Sequence, residues 1–197
     1  ASATFNKYID HALGGRHEIR FGVDYAHMPT STKVHRWDDL ALTYRSATNV
    51  PVAVTFYNTP VQSKATVDVT SLFLQDNYTL KRLTLTGGVR WERVEAYLPA
   101  QNSPPSQWFP ALQRSFDPVR KVPLGHTAGP RLAAIYDVDG GRTAIKFSIG
   151  RYYYIIGPGT ANNVNANFNV SKQYAWNDAN GDLHYQPGEE TGVPVQA

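Results

Sequence analysis

Residues 72–92 read LFLQDNYTLKRLTLTGGVRWE, and the second half of this stretch alternates with a period of two. Leu83, Leu85, Gly87, Val89 and Trp91 fall on one side, and Thr84, Thr86, Gly88, Arg90 and Glu92 on the other. Successive side chains of a strand point to opposite faces, so this spacing predicts a strand with one apolar and one polar face. The same alternation recurs on both sides of the quoted stretch. In residues 16–28, Ile19, Phe21, Val23 and Tyr25 oppose Glu18, Arg20, Gly22, Asp24 and Ala26. In residues 143–154, Ile145, Phe147 and Ile149 oppose Lys146, Ser148 and Gly150. Residues 67–78 and 129–138 are shorter or less regular cases.

The connections alternate between short and long. Leu-Gly-Gly within residues 11–17, a four-residue turn at 79–82 and Asp-Gly-Gly within 137–142 suit tight hairpins, where glycine supplies a positive φ. Between them lie long polar stretches at about 29–65, 98–127 and from 157 onward. Residues 40–45 and 52–57 read as a hairpin within the first of these, outside any membrane. Short turns at one end and long loops at the other are the signature of an up-and-down barrel in an outer membrane. The nine residues from Leu83 to Trp91 match the roughly 9–11 that a tilted transmembrane strand needs. Tyr78 and Tyr136 near short turns, and Tyr25, Trp91, Tyr97 and Tyr152 to Tyr154 near long loops, fit two aromatic girdles.

Composition narrows the classes without choosing among them. Of 197 residues, 42% are hydrophobic and 18% charged, which excludes a disordered chain. No run of 18 apolar residues exists, which excludes a membrane-spanning helix and leaves a barrel open. The net charge of +3 comes from scattered basic residues, so no nucleic-acid partner is expected. Cysteine is absent, which removes disulfides and thiolate metal sites. No signal peptide opens the chain and both ends read as cuts, so the expectation is a piece of a longer protein. Alternation alone also suits a soluble β-sandwich or a lipocalin-like barrel.

The quoted stretch resembles a signature hairpin of TonB-dependent receptors: Gln-Asp before a turn, then Leu-Thr-Leu-x-x-Gly-x-Arg-aromatic-Glu. Residues 129–154, GPRLAAIYDVDGGRTAIKFSIGRYYY, look like the next hairpin, and residues 15–25, GRHEIRFGVDY, like an earlier strand. Together they cover about half of the chain in family order. The Trp176–Asp182 run, WNDANGD, is similar to one in Oar-like receptors. The resemblance implies an all-β fold, an antiparallel up-and-down transmembrane β-barrel of 22 strands, with long extracellular loops and short periplasmic turns. Residues 1–197 would be an incomplete barrel, with the plug domain and the barrel's C-terminus absent. It implies active uptake of a scarce or bulky ligand (siderophore, carbohydrate or peptide) across the bacterial cell outer membrane. The partners would be outer-membrane lipid, that ligand, and TonB reached through the missing plug. Two other readings are a soluble secreted β-domain binding carbohydrate with a structural calcium, and a passive porin-like or adhesive barrel.

The sharpest local motif is Asp178, Asn180, Asp182, Gln186 and Glu189, with oxygen side chains at positions 1, 3, 5, 9 and 12 of a calcium loop. A bidentate Glu189 and the carbonyl of His184 would complete the set. Leu183 stands where such a loop has glycine, and Pro187 interrupts its path. The rival reading is a plain polar loop, so Ca2+ is the one candidate cofactor and none is certain. No catalytic residue is expected: there is no His-x-x-x-His pair, no Gly-x-Ser-x-Gly elbow and no phosphate-binding glycine loop. Asp38/Asp39 and Glu189/Glu190 read as solvent-facing pairs. Arg20, Arg90, Lys146 and Glu92 are expected inside the barrel, where they either solvate the wet interior or meet the plug or ligand. The aromatic run at 151–154 and the Asn-rich residues 162–169 read as interface anchors and polar loop, with ligand contact as the alternative.

Overall fold

The structure, a computed structural model, describes residues 1–154 and 156–195. The described chain divides into two compact units. The first comprises Ala1–Pro29, Ala65–Tyr97 and Arg120–Asn163; the second comprises Thr30–Lys64, Leu98–Val119 and Val164–Ala197. Among the described residues no helix is long and apolar enough to cross a membrane, which says nothing of strands.

A six-stranded antiparallel sheet organises the first unit. Its strands are β1 (Ser2–Ala12), β2 (Gly15–Val34), β5 (Val61–Leu80), β6 (Leu83–Tyr97), β9 (Leu124–Asp137) and β10 (Ala144–Gly150), in that spatial order. β1 and β10 each pair on one side only, so the sheet is open. Three hairpins close at one end. Leu13 and Gly14 take positive φ between the paired Ala12 and Gly15. Lys81 does the same between Leu80 and Leu83, which makes this a two-residue turn, shorter than expected. At the third, Asp137 accepts hydrogen bonds from Gly141 N at 2.8 Å and Asp139 N at 3.3 Å. The long connections, 35–60 and 98–123, leave from the opposite end.

Registry carries the alternation across all six strands. Phe5 pairs with Phe21, Leu72 with Trp91, Leu74 with Val89, Val89 with Pro130, and Phe147 with Ala134. The expected apolar sets therefore share one face, and that face is uncovered. Phe21 is 49% exposed, Leu74 52% and Phe147 61%. A sandwich would have buried them. The other face carries Asn6, Glu18, Arg20, Asp24, Gln75, Arg90, Glu92, Arg131 and Lys146 by the same register. Towards the loop end it turns apolar: Val67, Val69, Val94 and Ala96 are buried there, and the one-turn helix α1 (Gly159–Asn162) lies near β6.

The second unit is built from what read as loops. β3 (Leu40–Arg45) and β4 (Val50–Tyr57) form the expected hairpin, but β11 (Ser171–Trp176) and β12 (Glu190–Val195) join it in a four-stranded sheet ordered β12-β11-β4-β3. Val54, Phe56, Phe109 and Trp176 make its core, with Trp108 stacked on Phe56 at 4.4 Å between ring centres. A two-residue pairing of β7 (Gln101–Asn102) with β8 (Ser115–Phe116) lies in the same unit.

Four expectations are corrected. β1 was not foreseen, because Lys7 on the apolar side and Tyr8 on the polar side blur its period. The last alternating stretch ends at Gly150 rather than Tyr154; opposite Arg151 stands Pro130, which has no N–H to extend the ladder, and only Arg151 N donates, to Pro130 O at 2.9 Å. β2 and β5 run to 20 residues each, beyond the expected 16–28 and 67–78. Residues 193–195 belong to β12, whereas 196–197 of the expected ragged end lie outside the described residues.

Gly22 and Phe73 are a tight point of the sheet. A Cβ on Gly22 would sit 2.5 Å from Ala3 O and 2.6 Å from the Phe73 ring. Gly22→Val is expected to destabilise the chain by about 1–3 kcal/mol through overpacking, read from urea unfolding in detergent. Phe73→Leu in that background should restore only part of the loss, because the Ala3 carbonyl stays in place.

Candidate functional site

The sheet's polar face gathers the charges that the period placed there. Arg90 stands on β6 between two carboxylates on its own face. Its Nη1 donates to Asp24 Oδ2 at 2.9 Å across the sheet, and its Nε to Glu92 Oε1 at 2.7 Å on the same strand. Arg20 on β2 donates to Glu18 Oε1 and Asn6 Oδ1, both at 3.0 Å. Both guanidiniums are thereby fixed in place, since a planar fork with several donors loses its freedom when two acceptors engage it. Beside them lies a concavity of about 470 Å³, lined by Thr4, Asn6, Arg20, Gln75, Arg90 and Arg131 among others. Arg131 lies with its guanidinium 4.8 Å from the centre of the Tyr152 ring. Arg20, Arg90 and Glu92 are thus where the sequence put them. Arg131 was missed, because Ala133 and Ile135 share its face and hide the polar period of β9.

The uncovered face carries paired histidine and aspartate at its two ends. Near the short turns, His17 Nδ1 meets Asp76 Oδ2 at 2.6 Å, and Tyr78 stacks on the His17 ring. At the loop end, His27 Nδ1 meets Asp68 Oδ1 at 2.6 Å and Tyr25 OH donates to the same oxygen at 3.3 Å. Asp68 pairs in register with Glu95, which Arg93 and Arg120 engage. Between these rows the face is mainly aliphatic and aromatic, with Lys7 beside the first row and Thr70 and Arg93 beside the second.

Asp178, Asn180, Asp182, Gln186 and Glu189 all lie on the hairpin loop joining β11 to β12. The loop is closed by its own donors. Asp178 accepts from Gly181 N at 2.9 Å and Leu183 N at 3.0 Å; Asp182 accepts from His184 N at 2.8 Å and Gln186 Nε2 at 2.7 Å. Glu189 Oε2 accepts from Trp176 Nε1 at 3.0 Å and Gln186 N at 2.9 Å. Among the described residues no group of three or more His, Cys, Asp or Glu side chains is placed to hold a metal ion. The backbone bond from His184, then those from Gln186 and Asn180, hold Asp182 below the usual carboxylate range. The Tyr185 hydroxyl does the same for Glu190.

Two of the asparagines expected in a polar loop are buried instead. Asn167 accepts from Ser103 Oγ at 2.9 Å and donates to Gln62 O at 2.8 Å, and Gln101 Nε2 donates to Asn165 Oδ1 at 3.0 Å. They bind three chain segments of the second unit together. A single sequence shows amide residues without showing which amides find partners.

A family model described as "TonB dependent receptor-like, beta-barrel" matches residues 2–190. No curated protein and no solved structure matches the chain.

Two outcomes follow from this geometry. Asn167→Leu removes the acceptor of the Ser103 hydroxyl and the amide donor to the Gln62 carbonyl, and is expected to cost about 1–3 kcal/mol for each group, read from thermal unfolding. The depressed Asp182 and Glu190 contribute order that is present above the ordinary carboxylate range and is lost as pH falls through their lowered values. Trp176 fluorescence should therefore be constant at neutral pH and change on acidification below about pH 4; Asp182→Asn together with Glu190→Gln should flatten that change.

Proposed function

We propose, on the premise that the chain belongs to the TonB-dependent receptor-like β-barrel family, that it forms part of the wall of an outer-membrane receptor taking up a scarce or bulky ligand. Members of this family are transporters typical of the outer membrane and work in general with TonB and a ligand. The finer reading is that residues 1–197 are a partial barrel, with the plug domain and the remaining strands elsewhere in the protein. TonB would act through that plug. The ligand would be a siderophore, carbohydrate or peptide, and the location the bacterial cell outer membrane. The WNDANGD run supports placing it among Oar-like receptors.

The observation that carries the proposal is the bounded apolar face. From His17–Asp76 to His27–Asp68 the chain advances eight residue steps along β5 and ten along β2. At about 3.3 Å per residue and a tilt of 35–45°, this is roughly 20–25 Å along the membrane normal. An apolar band of about 25 Å between polar edges is what a bilayer core requires of a barrel wall. In water alone, the same exposed band and two unpaired edges would drive aggregation. The unpaired edges of β1 and β10 support further strands on both sides.

Calcium at residues 178–189 is a separate proposal, supported by its oxygen spacing. Titration with CaCl2 should show saturable binding that Asp182→Asn abolishes. Absence of binding would overturn it and leave the hydrogen-bonded loop as the whole account.

The wall reading has a paired test. Leu74→Arg, on the apolar face, should cost about 2–4 kcal/mol in lipid vesicles, while Gln75→Arg one residue on should cost well under half of that. Equal costs, or a chain that stays monomeric and folded in water without detergent, would refute it.

A further inference from the structure

We propose that Arg93 and Arg120 form a docking site, at the loop end of the uncovered apolar face, for the headgroup of an anionic lipid that carries a phosphate monoester. The inference rests on the reading of that face as the lipid-facing side of a receptor wall.

Two guanidiniums over one shielded acid carry it. Glu95 pairs in register with Asp68, and Arg93 with Thr70, so these groups stand in the row that ends the apolar band. Arg93 Nη2 donates to Glu95 Oε2, and Arg120 Nη1 lies 3.8 Å from Glu95 Oε1. Only 11% of the Glu95 side chain is exposed, against 36% of Arg93 and 61% of Arg120. The carboxylate is thus covered, the guanidiniums reach the surface, and the cluster keeps one positive charge in surplus. Asp68, the other acid of the row, is engaged by His27 and Tyr25. A guanidinium has five N–H donors, and 3.8 Å is beyond hydrogen-bond length, so Glu95 leaves most of them unspent. Arg120 is oriented instead by the Tyr97 ring, 4.2 Å from its centre. The cluster stands on β6 and on the chain leading into β9. β6 has both of its neighbours, β5 and β9, in place, so this exposure is not that of an open sheet edge.

The surroundings select a lipid over a free ion. Towards the short turns, the same face continues through Trp91 paired with Leu72, then Val89 paired with Leu74. A lipid can lay its chains along this strip while its headgroup meets the arginines, whereas a free ion gains nothing from the strip. Trp91, stacked on His126 at 5.8 Å between ring centres, and Tyr97 bracket the arginines in sequence. Such rings favour the level of lipid headgroups. A phosphate monoester carries about −1.5 to −2 charge near neutral pH and three acceptor oxygens, enough to bridge two guanidinium forks. A zwitterionic headgroup would bring its own cation into a row already in positive surplus.

The test uses the full-length receptor chain in neutral detergent micelles, with native mass spectrometry reading the lipid bound per chain. Dioleoyl phosphatidic acid should bind saturably, and dioleoyl phosphatidylcholine at least tenfold more weakly. Arg120→Gln should weaken binding of the phosphatidic acid about fivefold, the effect of one basic residue near an anionic lipid surface. Lys7→Gln, near the opposite end of the same face, should weaken it less than twofold, with circular dichroism unchanged in both variants. Inorganic phosphate in tenfold excess should leave the lipid bound. Equal binding of the two lipids, equal losses in the two variants, or displacement by inorganic phosphate would overturn the proposal. Because the Leu74→Arg and Gln75→Arg comparison reads residence in a bilayer whatever its headgroups, any of these results alone leaves the wall reading standing.

Discussion

The ladder register of the six-stranded sheet is the constraint on which the rest depends. A strand has a side-chain period of two, so one cross-strand pairing decides the face of every residue on both strands. Phe5 opposite Phe21 aligns the apolar residues of β1 and β2, and Leu74 opposite Val89, Val89 opposite Pro130 and Phe147 opposite Ala134 align those of β5, β6, β9 and β10. A slip of one residue between β5 and β6 would put Arg90 among Leu72 and Leu74. The two-residue turns at Leu13–Gly14 and Lys81–Arg82 hold the register where it matters, because so short a loop admits few pairings.

That sorting creates two surfaces with opposite demands. The apolar one has no protein cover and ends in paired histidine and aspartate rather than in isolated charges. Pairing lets polar groups stand at an apolar boundary at lower desolvation cost than either group alone. The polar surface pairs its acids with Arg90 and Arg20, and among the described residues leaves Arg131 and Lys146 outside those ion pairs. Burial on this side appears only towards the loop end, where Val67, Val69, Val94 and Ala96 replace the charges. A single strand such as β6 thus passes from polar to apolar on one face and from apolar to polar on the other, as Trp91 gives way to Arg93 and Glu95.

The second unit follows a different logic. Its sheet encloses an aromatic core of Phe56, Trp108, Phe109 and Trp176, and its connections are bound by amides rather than by strand ladders. Buried Asn165 and Asn167 serve as cross-links between segments far apart in sequence, where their hydrogen bonds replace those that water would make. The loop at 178–189 works in the same way on a smaller scale, with side-chain acceptors turned inward on its own backbone.

The order of residues by itself determined the strands β2, β5, β6 and β9, the three tight turns, the hairpin of β3 and β4, and the faces on which Arg20, Arg90, Glu92 and Lys146 lie. Period and turn chemistry are local, and an alternating run or a glycine at a turn carries its meaning without a partner. Four things were decided only by tertiary structure. β1 took its place through pairing with β2, despite a blurred pattern. β10 stopped at Gly150 because the facing residue on β9 is a proline. Residues 171–176 and 190–195 became strands because β4 offered an edge. Arg131 joined Arg20 and Arg90 in one recess although 111 positions separate it from the first. Each depends on which segment lies alongside, and that is a property of pairing between distant segments, which no local pattern encodes.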